Sequence, residues 1–229
     1  MNIGFYGHSN CAHRGEHSFL DIVANKFNGT VVNTGVRQGS EERILYELKK
    51  TKNLDLAIIF HSRPSFVFLP NSDRDLEFNN IKEHRIQYLL TEFEKNFTSK
   101  LSPIFKKEFE SAEYLKQVVE MFLKHFYNPD MILNRYYGSL MQIDKYLLDR
   151  QIPCIHILEK NSLPKWFSFQ TGIVDFSIMK LVEKHKLEYG KYFVNIITKE
   201  GNLEVADKLS QMIKELIGGS YPPAPGAVA

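Results

Sequence analysis

The sequence has few cysteines and no hydrophobic run long enough to cross a membrane. Only Cys11 and Cys154 occur among its 229 residues, whereas a secreted disulfide framework needs more cysteines at closer spacing. No window approaches about 18 apolar residues without charge, and neither a basic stretch nor a cleavage site accompanies the first apolar run. These absences exclude a disulfide scaffold and predict a reduced, soluble, cytoplasmic protein without a membrane partner.

An excess of one charge is also lacking. The 29 basic side chains nearly balance the 27 acidic ones, giving a formal net charge of +2, and the two signs are interspersed along the chain. Nucleic-acid-binding proteins usually carry a basic patch that neutralises phosphates. We therefore expect no nucleic acid partner.

No established metal or nucleotide motif is present either. Histidines and cysteines gather at residues 8–17 and again at Cys154 and His156, but not with the spacing of known zinc motifs. Two glycine-containing loops are compatible with phosphate at a helix N-terminus, yet neither follows the GxGxxG or GxxxxGK[ST] pattern. We therefore expect no metal and no cofactor.

What the sequence does contain is a regular alternation of apolar runs and amphipathic segments. Four apolar runs predict buried strands, at residues 3–6, 30–33, 54–60 and 152–158. Apolar residues at helical spacing follow the first run at 16–28, and Ser40 before two glutamates is typical of a helix start. Strands that alternate with helices form a parallel sheet with right-handed crossovers, so the predicted class is α/β.

A long segment separates the third and fourth predicted strands. Residues 65–80 are polar and irregular, apolar residues recur three or four apart between 81 and 127, and a further helix is predicted at 131–151. One helix suffices for a parallel crossover. We interpret residues 66–150 as a helical insertion or lid that can bind a protein partner. The alternative is a long helical hairpin that covers the sheet edge.

Three further elements are predicted after the fourth strand. They are a helix at 173–185, a short last strand or extended loop at 193–197, and an amphipathic helix at 203–217. Residues 220–229 are rich in proline, alanine and glycine, which predicts a flexible tail. We therefore expect one domain, residues 1–219, with a parallel sheet of about five strands.

Polar loops follow the first three predicted strands, where parallel sheets gather their functional residues. Ser9 follows Gly7-His8 at a strand-to-helix turn, a position from which a nucleophile can use nearby backbone amides to hold an oxyanion. His61 can reach Ser9 as a base if the third strand lies beside the first, and His8 is the other candidate base. Cys11 is a second candidate nucleophile, if a histidine lowers its pKa.

The same loops supply candidate ligand-binding residues. Gly35 and Gly39 allow a backbone to approach closely, so either can provide an oxyanion donor. The polar side chains of Asn33, Arg37 and Ser62 complete this set. Each candidate also has a structural interpretation: a serine can cap a helix, a glycine can form a tight turn, and a strand-end histidine can be hydrogen-bonded.

The order and positions of these loops resemble those of the SGNH/GDSL hydrolase family, in particular its short bacteriophage members. Gly7-His8-Ser9 stands where the family has Gly-Asp-Ser with a nucleophilic serine, and Asn33-Thr34-Gly35 stands at its asparagine–glycine pair. The third apolar run and the last helix also look alike. The resemblance implies a three-layer α/β/α, flavodoxin-like fold, hydrolysis of a small-molecule ester or acyl substrate, and, for a phage protein, the host-cell cytoplasm.

The sequence departs from this family at the residues that activate its serine. His8 replaces the aspartate, His61 stands where the third block has asparagine, and Phe193 and Ile196 occupy the positions of Asp-x-x-His. A serine without a base is a weak nucleophile. Two hypotheses follow: an esterase that uses Ser9 with a non-standard histidine, or a catalytically inactive binding or structural module of the same fold, such as a phage accessory protein. A ligand or phosphate sensor is a third, less favoured one.

Overall fold

The computed structural model describes residues 1–7, 11, 18–33, 35, 39–62, 64, 66–67, 76–77, 121, 129–159, 163–186 and 197–219. Its strands are β1 (Asn2–Gly7), β2 (Thr30–Asn33), β3 (Leu56–Phe60), β4 (Phe66–Val67), β5 (Leu76–Glu77), β6 (Cys154–Ile157) and β7 (Ile173–Asp175). Its helices are α1 (Phe19–Lys26), α2 (Glu41–Lys50), α3 (Pro129–Asp149), α4 (Ile178–Lys184) and α5 (Lys199–Ile217). None of the described helices is both long and apolar enough to span a membrane.

Five strands form one parallel sheet in the order β2-β1-β3-β6-β7. Helices cover both faces, which confirms the predicted three-layer α/β/α, flavodoxin-like arrangement. The strand order reverses between β1 and β3, because the chain runs from β1 outward to β2 and then returns to the other side of β1. Ligand sites in open parallel sheets lie beyond the carboxyl ends of the strands at such a switch point.

Side chains that alternate along the central strands divide the core into two layers. Phe5 and Ile58 belong to the layer covered by α1, α4 and α5, whereas Tyr6 and Ile59 belong to the layer covered by α2 and α3. Ile143 of α3 is fully buried in this second layer. The last helix of the segment that we interpret as an insertion is therefore the crossover helix between β3 and β6, packed on the sheet.

Helix α2 begins where the sequence predicts. The Ser40 hydroxyl accepts a hydrogen bond from the backbone N–H of Arg43 at 3.2 Å, and Glu41 is the first helical residue. Ile44 and Leu48 bury the helix against the sheet. Because a helix that follows a parallel strand starts at the carboxyl edge of the sheet, the cap places Glu41 at the same edge as the switch point.

The prediction of one helix over 173–185 is wrong at its start. Ile173 and Val174 are β-branched and extend beside β6 as the fifth strand of the sheet, since such side chains pack well on a pleated surface. The Asp175 carboxylate then accepts hydrogen bonds from the backbone N–H groups of Ser177 and Ile178, at 2.8 and 2.7 Å. These hydrogen bonds hold the turn after β7, and α4 begins at Ile178.

Other predicted segments are described only in part. The range 65–80, predicted to be irregular, contains the antiparallel pair of β4 and β5. In the range 193–197 only Ile197 is described, and it forms an isolated bridge with Lys186. Nearly all of the segment 81–127 and the whole tail 220–229 lie outside the described residues.

Gly172 packs against β6 directly after Thr171, and this contact generates a test of the fold. Its φ is +69°, and a Cβ there would lie 1.7 Å from the carbonyl oxygen of Cys154. We expect Gly172→Ala to lower the free energy of unfolding by about 3 kcal/mol or more, through strain and overpacking, measured by chemical denaturation.

Gly138 in α3 is the matched control, because a Cβ there meets no atom within 4 Å. Gly138→Ala should raise the free energy of unfolding by up to about 1 kcal/mol, since alanine is the better helix former. Equal effects of the two substitutions would contradict the close approach at Gly172.

Candidate functional site

The switch point is formed by a glycine on β1 and a histidine after β3. Gly7 pairs with Phe60, has φ +131°, and would place a Cβ 2.2 Å from the Phe60 carbonyl oxygen, so only glycine allows this approach. His61 follows Phe60, and its backbone N–H donates to the carbonyl of Ile157 at 2.9 Å. The end of β1, where the sequence continues to Ser9, therefore lies beside a histidine fixed between β3 and β6.

A buried carboxylate orients His61. Glu41 Oε2 lies 2.9 Å from His61 Nδ1, and the two side chains are 0% and 1% exposed. The other oxygen of Glu41, Oε1, accepts hydrogen bonds from the backbone N–H of Ser62 at 2.6 Å and from its hydroxyl at 3.1 Å. Buried charged groups need such partners. A carboxylate on Nδ1 is also how catalytic histidines are held in a fixed tautomer and orientation.

The second ring nitrogen of His61 is hydrogen-bonded to a further series of buried polar groups. His61 Nε2 lies 2.9 Å from His156 Nδ1, and His156 Nε2 lies 3.2 Å from Thr171 Oγ1. The Thr171 hydroxyl donates to Asp144 Oδ1 at 2.6 Å. The buried polar chain thus consists of Glu41, His61, His156, Thr171 and Asp144, all at most 9% exposed.

Asp144 ends this chain and receives two more hydrogen bonds. The backbone N–H of Thr171 donates to Oδ1 at 3.0 Å, and the backbone N–H of Gln170 donates to Oδ2 at 2.8 Å. Asp144 belongs to α3, so the carboxylates at the two ends of the chain come from the two helices that cover this face of the sheet. The buried polar chain therefore connects α2, the residue after β3, β6, the residues before β7, and α3.

Burial controls the charge of His156. Loss of hydration lowers the pKa of His156 well below its ordinary value, and the neighbouring His61 lowers it further, while a hydrogen bond with Thr171 acts in the opposite direction. His156 is therefore neutral at neutral pH.

Aromatic side chains cover the two imidazoles. The ring of Phe169 stacks on His156 at a centroid distance of 3.7 Å and lies 5.1 Å from the ring of His61. Phe167 packs edge-on against Phe169 at 5.0 Å, and Trp166, which is 67% exposed, packs edge-on against Phe167. These rings exclude water from the histidine pair on one side.

The structure brings two of the predicted site residues to a shared hydrogen-bond partner, and a third has a different partner. His61 and Ser62 share Glu41 as their partner. Asn33, in contrast, donates from Nδ2 to Thr51 Oγ1 at 3.1 Å. Ser9, His8 and Arg37 lie outside the described residues.

The two glycines proposed as oxyanion donors are both described. Gly39 is buried beside the cap of α2. The backbone N–H of Gly35 donates to the carbonyl oxygen of Cys11 at 3.1 Å, so the loop after β2 contacts the loop after β1. This amide must leave Cys11 before it can donate to an oxyanion.

Most of the buried polar chain has no clear signal in the sequence. The sequence pattern marks Glu41 only as an acid that favours a helix start, and His156 only as a possible metal ligand. Asp144 and Thr171 carry no local signal. The one useful sign is His156 itself, because a histidine within the apolar run Cys154–Ile157 must find buried polar partners.

The described residues contain no cluster of three or more histidine, cysteine or acidic side chains that could hold a metal ion. Cys11 and Cys154 are fully buried free thiols, and burial raises the pKa of both well above the ordinary value, for Cys154 with a further contribution from Asp144. A buried thiol of this kind is a poor nucleophile, which argues against Cys11 as the catalytic group.

Comparison with known proteins gives no relative: no family model, curated protein or solved structure matches the chain.

The buried partnership of Glu41 with His61 predicts a large effect on stability. Glu41→Ala leaves His61 and two donors of Ser62 without their acceptor, and we expect it to lower the free energy of unfolding by about 3–5 kcal/mol. The neighbouring Glu42 pairs with Arg135 at the surface, so Glu42→Ala should cost less than about 1 kcal/mol. Chemical denaturation of both variants checks this, and similar losses would contradict a special role for Glu41.

The two buried thiols predict a clean chemical test. In the native protein neither Cys11 nor Cys154 should react with a thiol reagent such as DTNB at neutral pH, whereas both should react after unfolding in guanidinium. Because the chain has only two cysteines, the absorbance reports them directly. Rapid reaction of one thiol in the native state, lost in Cys11→Ser, would restore Cys11 as a candidate nucleophile.

Proposed function

We propose that this chain is an SGNH-like ester or acyl hydrolase in which Ser9 is the nucleophile and His61, oriented by Glu41, is the base. The observation that carries the proposal is the hydrogen bond of 2.9 Å between Glu41 Oε2 and His61 Nδ1 at the switch point, beside the strand end that leads to Ser9. A carboxylate-oriented imidazole supplies the two functions that the sequence lacks at Phe193 and Ile196.

The reaction follows from these roles. The Ser9 hydroxyl attacks the carbonyl carbon of the ester and passes its proton to His61, and the backbone amides of Ser9 and Gly35 stabilise the tetrahedral oxyanion. The same proton is then given to the departing alcohol as the acyl-enzyme forms. Water, activated by the same base, releases the acid and restores Ser9. For this cycle His61 Nε2 must break its hydrogen bond with His156 Nδ1 and form one with the Ser9 hydroxyl. If it does not, His8 is the base.

A second candidate is a non-catalytic binding or structural module of the same fold. The observation that favours it is the contact of 2.9 Å between His61 Nε2 and His156 Nδ1, because it occupies the nitrogen that a serine would use. In this case the buried polar chain only stabilises the sheet edge, and the segment 66–150 provides the surface for a protein partner. A cytoplasmic location and a phage origin remain predictions for both candidates.

Covalent labelling with a fluorophosphonate probe distinguishes the two candidates. We expect the wild-type protein to be labelled, Ser9→Ala to abolish labelling, and Ser168→Ala, a matched change at an exposed serine, to preserve it. Loss of labelling in His61→Gln but not in His8→Gln would assign the base, after circular dichroism has shown that both variants are folded. A wild-type protein that is not labelled, or labelling that survives Ser9→Ala, would rule out the hydrolase.

A further inference from the structure

The direction of each hydrogen bond in the buried polar chain can be assigned from its ends. Asp144 receives donors on both oxygens, from Thr171 and Gln170. The distance of 2.6 Å to the Thr171 hydroxyl is typical of an O–H group that donates to a carboxylate. Asp144 is therefore the acceptor, and the Thr171 hydroxyl donates its hydrogen bond to Asp144.

This assignment determines the tautomer of His156. Since the Thr171 hydroxyl donates to Asp144, its oxygen can only accept from His156 Nε2, 3.2 Å away. The proton of His156 is then on Nε2. Because His156 is neutral, its Nδ1 carries a lone pair and must be an acceptor.

The tautomer of His156 in turn determines the protonation of His61. His61 Nε2 must donate to the lone pair on His156 Nδ1, 2.9 Å away. Glu41 Oε1 accepts the two donors of Ser62, which is the pattern of a carboxylate, and a carboxylate at Oε2 takes its hydrogen bond from His61 Nδ1 at 2.9 Å. An imidazole that donates from both nitrogens carries two protons and a positive charge.

We propose that Thr171 and Asp144 are positioning residues that hold His61 as an imidazolium ion against the Glu41 carboxylate in the resting protein. The inference deepens the proposed function, on which it rests where it treats His61 as the base of Ser9. It adds that the base is stored in its protonated form, so the resting site can give a proton but accept none.

The surroundings of His61 support a stored positive charge. Glu41 from α2 is its counter-ion, and Nδ1 of the neutral His156 from β6 accepts the hydrogen bond from its second N–H group. The centroid of the Phe169 ring lies 5.1 Å from that of His61 in a tilted arrangement, which is within the distance at which an aromatic ring attracts a cation. Cys154 on β6, whose pKa is raised by burial, is uncharged.

A second arrangement of the same protons would make His61 a base. If Asp144 kept a proton and donated a hydrogen bond to the Thr171 oxygen, the Thr171 hydroxyl would donate to His156 Nε2, and His156 Nδ1 would donate to His61 Nε2. His61 would then be neutral. The two arrangements contain equal numbers of protons and differ by the transfer of one proton from Asp144 to His61 along three hydrogen bonds. Loss of the Thr171 hydroxyl interrupts this path.

The test is the nitrogen NMR spectrum of the histidine side chains. In wild-type protein labelled with ¹⁵N-histidine at neutral pH, both nitrogens of His61 should resonate in the protonated range, and His156 should show a protonated Nε2 and an unprotonated Nδ1. Signals are assigned from their loss in His61→Gln and His156→Gln. A single protonated nitrogen on His61 in the wild-type protein would overturn the proposal without any variant of Thr171.

Thr171→Val keeps the shape and removes the hydroxyl. We expect the proton of His156 to move from Nε2 to Nδ1, and Nε2 of His61 to shift to the unprotonated range. Thr171→Ser, which retains a hydroxyl, should restore the wild-type spectrum. A His61 that stays doubly protonated in a folded Thr171→Val protein would show that Thr171 does not set its charge.

Labelling by the fluorophosphonate probe separates this proposal from the hydrolase itself. If both hold, Thr171→Val should be labelled faster than wild type at neutral pH, and Thr171→Ser at the wild-type rate. An imidazolium spectrum without labelling of any variant would retain the charge assignment and reject the hydrolase. Labelling of a wild-type protein whose His61 is neutral would retain the hydrolase and reject the stored proton.

Discussion

A carboxylate and an imidazole buried together constrain this structure more than any other contact. Glu41 and His61 are almost fully removed from water, and charges in such a place are tolerated only when every donor and acceptor is matched. The match requires α2 to start at Glu41 behind its Ser40 cap, β3 to end at Phe60, and Ser62 to direct its backbone N–H toward the carboxylate. The edge of the sheet at the switch point is thus organised around one buried carboxylate–imidazole pair.

The same requirement extends across the sheet. His61 contacts His156, which contacts Thr171, which contacts Asp144. Each of these buried polar groups needs a hydrogen-bond partner, and the next residue supplies it. Gly172 is necessary to this arrangement, because only a residue without a side chain lets the chain pass the Cys154 carbonyl and place Thr171 under His156. The buried polar chain and the apolar side chains beside it therefore pack together between α2 and α3.

Much of the fold could be predicted from periodicity and caps, since these are local signals. Ser40 correctly predicts the start of α2, and the apolar runs predict four of the five strands of the sheet. The start of α4 was missed because Ile173 and Val174 fit a helical pattern and a strand equally well, and only pairing with β6 decides between them. The site was harder to predict: Glu41, Asp144 and Thr171 meet His61 and His156 from distant parts of the sequence, and no local spacing encodes such a meeting.

The aromatic cover has a practical consequence. Trp166 is the single tryptophan of the chain, and it lies in the segment whose Phe169 stacks on His156 and contacts His61. An indole that is largely exposed, yet in ring contact with Tyr137 and Phe167, emits light whose colour and intensity depend on those neighbours. The protein thus carries one intrinsic fluorophore next to its histidine pair, and any displacement of that cover changes an optical signal without an added label.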